Sequence, residues 1–237
     1  MLTSRRSQVR SILPPALYPW VHRGLKMLFP DCLWEISRQQ MPQGCQGYSL
    51  TFDDGPHPYY TPHLLETLDQ WGLKASFFVL GERAAQWPEC IRAIAQAGHH
   101  IGMHGYRHQS FPSLSPPDLQ ASLHQTQQIL ADACQGSPTD FRDVRPPNGL
   151  FLPQTLTYLR AWQMRTVMWS VVPEDWLLPP VEVVVERICQ QIYPGSLIVL
   201  HDGRYGGSQV AATVAALAPR LRDDGWQCLP LPVDDRF

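Results

Sequence analysis

From Tyr48 onward, short apolar runs alternate with longer segments whose apolar residues recur at helical spacing. The runs predict strands over Tyr48–Phe52, Ala75–Leu80, His100–His104, Asp143–Pro146, Arg165–Val171, Leu197–His201 and Trp226–Leu229. Several are apolar almost throughout, as strands buried on both faces are. Between them the spacing predicts helices over Pro62–Trp71, Arg83–Ala97, Pro117–Ala133, Pro153–Ala161, Val181–Gln191 and Gln209–Arg222, several with proline in the first turn. About seven strand-helix units of this kind make an α/β fold that either closes into a barrel or opens into a doubly wound sheet. No Gly-x-Gly-x-x-Gly follows the first strand and no Walker sequence is present, which leans the reading toward a barrel. Residues 1–46 lack the alternation and read as an irregular N-terminal appendage to a domain spanning 47–237.

Composition adds limits. Hydrophobic residues make up 44% of the 237 and charged residues 17%, enough apolar material for a sizeable core. The formal net charge of −2 gives the chain no global attraction to nucleic acid or anionic lipid, so a nucleic-acid function is disfavoured. The six cysteines contain no Cys-x-x-Cys pair, which excludes a zinc ribbon or dithiol redox motif and favours reduced buried thiols, with a Cys32–Cys45 bridge as the alternative. Arg5, Arg6 and Arg10 precede an apolar stretch broken by Pro14, Pro15 and Pro19 and then by His22, Arg23 and Lys26, so no bilayer-spanning segment is written there. Ser4-Arg5-Arg6 is similar to a twin-arginine signal but lacks an uninterrupted apolar region and a cleavage site.

The candidate chemistry sits where apolar runs end. Asp53 and Asp54 close the first run in Thr51-Phe52-Asp53-Asp54-Gly55-Pro56, two carboxylates at a strand's carboxyl end, where α/β active sites lie. One can hold a metal while the other takes a proton from water; a turn-capping role is the plainer alternative. His104 ends the third run and His108 follows four residues later, so that one helical turn would bring both imidazoles to one side. Two such histidines with a distant carboxylate make the donor set of zinc, ferrous or cobalt sites. His99 and His100, at that strand's start, read as structural or solvent-facing. Arg145, Asp175 and His201 follow or end three later runs. Singly these residues have ordinary readings as a surface ion pair, a helix cap and a turn residue. Independent accidents would not all choose the carboxyl ends of strands.

In this order the motifs resemble the NodB-homology polysaccharide deacetylases, carbohydrate esterase family four: Thr-Phe-Asp-Asp-Gly-Pro, His-x-x-x-His, Arg-Pro-Pro, Asp-Trp, and an apolar strand ending in His. The resemblance runs from about Tyr48 to the end and implies a distorted (β/α) barrel. It further implies that Asp54, His104 and His108 bind a divalent metal, zinc before cobalt, ferrous iron or nickel. Asp53 would be the base, oriented by Arg145, and His201 the acid, held by Asp175. The backbone N–H near Asn148 would stabilise an oxyanion, and Trp176 and Val199 would line an acetyl pocket; Val199 shares a strand face with His201. Two departures stand out. Gly105 replaces a common hydroxyl residue, and Asn148 stands where the family usually has a large aromatic.

The expected partner is an acetylated glycan and the expected reaction hydrolytic removal of its N-acetyl or O-acetyl groups, releasing acetate. The alternatives are another non-peptide amide or ester at the same centre, and a glycan-binding barrel without turnover. Absence of a convincing export signal points to the cytoplasm, whereas polymeric substrates point to the cell envelope.

Overall fold

The structure is a computed structural model describing residues 12, 14 and 17–232. The Ser4-Arg5-Arg6 reading therefore lies outside the described residues. Seven parallel strands form one sheet: β1 (Gln46–Asp53), β2 (Ser76–Val79), β3 (His100–Met103), β4 (Asp143–Val144), β5 (Arg165–Thr166), β6 (Ser196–His201) and β7 (Trp226–Cys228). Their order is β5-β4-β3-β2-β1-β6, with β7 pairing the start of β1. The sheet curls into a partial barrel flanked by helices, the distorted (β/α) barrel of the sequence reading.

The pleat sorts side chains between two environments. Leu50 and Phe52 of β1 pack outward with Phe77, Val79, Ile101 and Met103 under the helices, in one large core. Phe78, Val167 and Leu197 fill a second cluster with Ile36 and Met41. The seven-residue fifth strand expected from Arg165 to Val171 is a two-residue ladder. Beyond it Val167 bridges to Leu33 and Val171 to Ile198 on β6. Glu35 pairs antiparallel with Ser196, so residues 33–36 sit in the gap between β5 and β6, with Met168 N–H donating to the Leu33 carbonyl at 2.8 Å and Ile36 N–H to Gly195 at 2.8 Å. Cys32, Trp34 and Ile36 are accordingly buried.

The helices are α1 (Tyr18–Leu28), α2 (Tyr60–Gln70), α3 (Gly81–Gln86), α4 (Pro88–Gln96), α5 (Pro116–Cys134), α6 (Pro153–Ala161), α7 (Val181–Gln191) and α8 (Gly207–Asp223). The single helix expected over Arg83–Ala97 is two, because Pro88 has no N–H to donate and bars helical geometry at Trp87, whose φ and ψ are −131° and 64°. α1 was not foreseen. Pro19, read as a break, lies in its first turn, where the missing N–H costs nothing. None of the six cysteines is in a disulfide, so the Cys32–Cys45 bridge is absent, and only Cys32 and Cys90 are buried.

Candidate active site

β1 delivers Asp53, and the next residue abandons the strand. Asp54 has a φ of 71°, the left-handed region that a non-glycine residue enters only when its surroundings hold it there. The turn cancels the up-down alternation of the strand, so both carboxylates line one cavity of about 440 Å³. The loop after β6 packs tightly behind them, since a Cβ on Gly203 would meet the Asp54 carbonyl at 2.6 Å.

His104 follows β3, and His108 reaches it by a different route from the one expected. Residues 104–110 form bends, with no helical turn, and Gly105 takes a φ of 84°. A Cβ at Gly105 would meet the Arg107 carbonyl oxygen at 3.1 Å, so glycine suits the position where the sequence lacks a hydroxyl. The two rings are 5.3 Å apart between centroids. His104 Nδ1 lies 2.8 Å from the Arg145 carbonyl, which can only accept, so Nδ1 carries the proton and Nε2 a lone pair. Burial drives the His104 pKa down to about 3, against the pull of Asp54 and with help from His108 and Arg145, and keeps the ring neutral.

Asp54 Oδ1 lies 3.5 Å from His104 Nε2 and 3.4 Å from His108 Nε2. It is buried and accepts no hydrogen bond among the described residues. A buried carboxylate oxygen left without a donor yet facing two imidazole nitrogens fits a divalent cation, and Asp54, His104 and His108 are the residues that could hold one. His108 is exposed, which leaves the group open toward the cavity.

Two charge pairs flank this group. Arg145 is wholly buried, its guanidinium 4.0 Å over the Phe78 ring, and Nη1 donates to Asp53 Oδ1 at 2.6 Å and to Thr51 Oγ1 at 2.7 Å, while Nη2 donates to the Met168 carbonyl at 2.7 Å. These bonds fix the Asp53 carboxylate in place. On the other side the His201 backbone N–H donates to Asp175 Oδ2 at 2.8 Å and Nδ1 lies 2.8 Å from Oδ1. Burial disfavours the imidazolium, but Asp175, then Asp53 and Asp54, outweigh it and raise the His201 pKa to about 9. With Nδ1 committed to Asp175, Nε2 is the nitrogen left to exchange a proton. Trp176 stands edge-on to the imidazole at 5.2 Å.

Asn148, Trp176 and Val199 all line the cavity. Asn148, at a φ of 58°, donates from Nδ2 to Ser110 Oγ at 3.1 Å. Ile12, Trp169, Val172 and Tyr205 also line it and were not foreseen: Ile12, Val172 and Tyr205 lie outside the predicted strands and helices, and Trp169, within the run Arg165–Val171, was not assigned to the site. Asp202 was passed over too. It is fully buried, accepts from Thr61 Oγ1 at 2.5 Å, and is raised to about 7 by burial with Asp54 and Asp53 adding. Its place directly after His201 at a strand end was the available clue. His99 and His100 are structural: His99 Nδ1 accepts the Ala75 N–H at 3.2 Å and His100 pairs with Asp143 at 2.9 Å.

A polysaccharide deacetylase family profile matches residues 40–167, a span holding Asp53, Asp54, His104, His108 and Arg145 and ending before Asp175 and His201. The chain is 32% identical over 201 residues to a chitooligosaccharide deacetylase of Bradyrhizobium sp. (strain ANU 289), covering 80% of this chain and 90% of that one. Among solved structures it is similar to the Bc1960 peptidoglycan N-acetylglucosamine deacetylase, with a TM-score of 0.75 and 29% identity over 81% of this chain and 88% of that one. A family 4 carbohydrate esterase from Streptomyces lividans, crystallised with acetate, gives a TM-score of 0.72 and 29% identity over 80% and 95%.

Proposed function

The chain belongs to the polysaccharide deacetylase family, and from that premise we propose that it hydrolyses N-acetyl groups from an N-acetylglucosamine-containing glycan, releasing acetate and a free amine. The observation that carries the reading is the meeting, in one cavity, of the Asp54, His104 and His108 group with the Asp53–Arg145 and His201–Asp175 pairs. The named activities of the relatives support the substrate class. Residues 47–237 are the catalytic domain in this proposal.

Asp54, His104 and His108 would hold a divalent ion, zinc first among those that two imidazoles and a carboxylate suit, and the ion would supply positive charge to polarise water and a carbonyl oxygen. Asp53 takes the proton of the attacking water, and Arg145 holds its carboxylate toward that water. The acetyl methyl packs against Trp176 and Val199, with backbone N–H near Asn148 offered to the developing oxyanion. His201, protonated at neutrality, passes a proton from Nε2 to the departing nitrogen, because an amine leaves an amide only when protonated.

The test is acetate release from chito-oligosaccharides and peptidoglycan by the full chain, with metal content measured in parallel. Asp53→Asn should retain metal and lose roughly a hundredfold to ten-thousandfold of the rate. His104→Ala should lose the metal. A variant Asp53→Asn that lost the metal and kept turnover would exchange the roles of the two aspartates.

A further inference from the structure

α1 is amphipathic, but it faces the wrong way for a helix that only packs on protein. Its inward side is polar. Tyr18 donates to Glu174 Oε1 at 2.6 Å, Lys26 pairs with Glu35, and Tyr193 donates to Glu35 Oε2 at 2.9 Å beside His22 Nδ1 at 3.1 Å. Its outward side carries Trp20, Val21, Leu25, Met27 and Leu28, with Leu17 just before the helix. At helical spacing these positions cover about 160° of the circumference. Trp20 is 68% exposed, Leu28 72% and Met27 83%. A contiguous apolar face of this kind on a folded protein marks an interaction surface.

We propose that this face of α1 lies in the interface of an anionic lipid membrane. Charge complementarity selects the occupant. The net charge of −2 conceals an asymmetry, for the first 30 residues hold Arg5, Arg6, Arg10 and Arg23, besides Lys26 that Glu35 already pairs, and none of the 21 acidic ones. A basic segment with Trp and Leu on one helical face is the composition that seats in headgroups while its apolar side enters the acyl boundary. A cavity of about 610 Å³ beside α1 is lined chiefly from its polar side, by His22, Arg23 and Lys26 with Glu35 and Tyr193, and the apolar face borders it only through Trp20. Pairing α1 with α1 of a second copy would bring two such basic segments together, which like charge opposes.

The same segment touches the cavity of the active site. Ile12 lines that cavity and its N–H donates to Glu174 Oε1 at 2.8 Å, the oxygen that Tyr18 of α1 also engages. Glu174 precedes Asp175, the partner of His201. A membrane-seated α1 therefore sits beside the cavity wall.

Cosedimentation of the full chain with lipid vesicles tests the proposal. Vesicles of phosphatidylglycerol and phosphatidylcholine should bind the protein at least about tenfold more strongly than phosphatidylcholine alone, and high salt should weaken the binding. The double variant Trp20→Ser/Leu28→Ser should lose about tenfold or more of that binding while keeping its circular dichroism spectrum and its activity toward soluble substrates. Absence of binding to the anionic vesicles, or equal binding by the variant, overturns the proposal. So does a concentration-dependent dimer that the double variant dissociates, which would assign the face to a second copy. The binding readout is independent of catalysis, so failure of the deacetylase assignment would leave it standing.

Discussion

Arg145 is 0% exposed and Leu28 is 72% exposed, the reverse of where a guanidinium and a leucine ordinarily sit. The inversion at the barrel rim is fully compensated. Arg145 donates to Asp53, to Thr51 and to the Val167 and Met168 carbonyls, and its plane lies over Phe78. The inversion on α1 is compensated little: Trp20 has the Arg23 guanidinium 5.5 Å over its ring, while Met27 and Leu28 are turned away from the barrel. A buried charge satisfied by its neighbours orders a site, whereas an apolar face left largely uncovered among the described residues is open to a contact beyond them. Perturbing each region should accordingly affect different quantities.

The largest effect should come from the proton donor proposed for the rim. His201→Ala should lose roughly a hundredfold to ten-thousandfold on an N-acetylated glycan and much less on an aryl acetate, whose phenolate leaves without a proton. Equal losses on both would move His201 to an earlier step. The pH dependence has a definite sign. In the metal-free protein His201 has a folded pKa of about 9, above the ordinary 6.5 and, against burial, raised first by Asp175; a cation on Asp54 would lower it, so activity on the amide should fall as pH rises on the alkaline side of neutrality, below about 9. The same group contributes stability that is full below about 6.5 and lost between there and about 9. Asp175→Asn removes the charge that holds the value up and should move the alkaline limb toward neutral pH, a displacement that general loss of structure would not produce.

Next in size is the stability of the rim. Arg145→Met leaves Asp53 buried without its cation and should cost about 3–5 kcal/mol in urea or thermal unfolding. Adding Asp53→Asn to that variant should recover part of the loss, because the stranded charge is then gone. No recovery would mean that Arg145 stabilises the barrel through Thr51 and the two carbonyls rather than through Asp53.

Much of the rim was legible because each apolar run stops at a residue with chemical use: Asp53, His104, Arg145 and His201 lie at or just beyond strand ends as read. The resemblance implied a pocket residue on the last strand before His201, and the two-residue offset chose Val199, which lines the cavity. What failed were inferences needing a specific backbone. The meeting of His104 and His108, expected from one helical turn, depends instead on a positive φ at Gly105, which spacing does not encode. Residues 33–36 close the sheet through single bridges, too short to show a period. For α1 the difficulty was twofold: its prolines obscured the helix, and periodicity reports a stripe without saying which way the stripe faces.

The smallest expected effect is the most telling about that stripe. Leu28 on a core-facing side would cost several kcal/mol on truncation, as buried leucines do. Exposed as it is, its replacement removes little apolar surface from protein contact, so Leu28→Ser should change unfolding stability by no more than about 0.5 kcal/mol. The matched control is Leu50→Ala on β1, which is 1% exposed and should lose about 2–5 kcal/mol. If Leu28→Ser destabilised the chain comparably to Leu50→Ala, the outward face of α1 would be packed against some part of the chain itself. The contrast between a compensated rim and a largely uncompensated helix would then collapse, and with it the reason to look for a membrane.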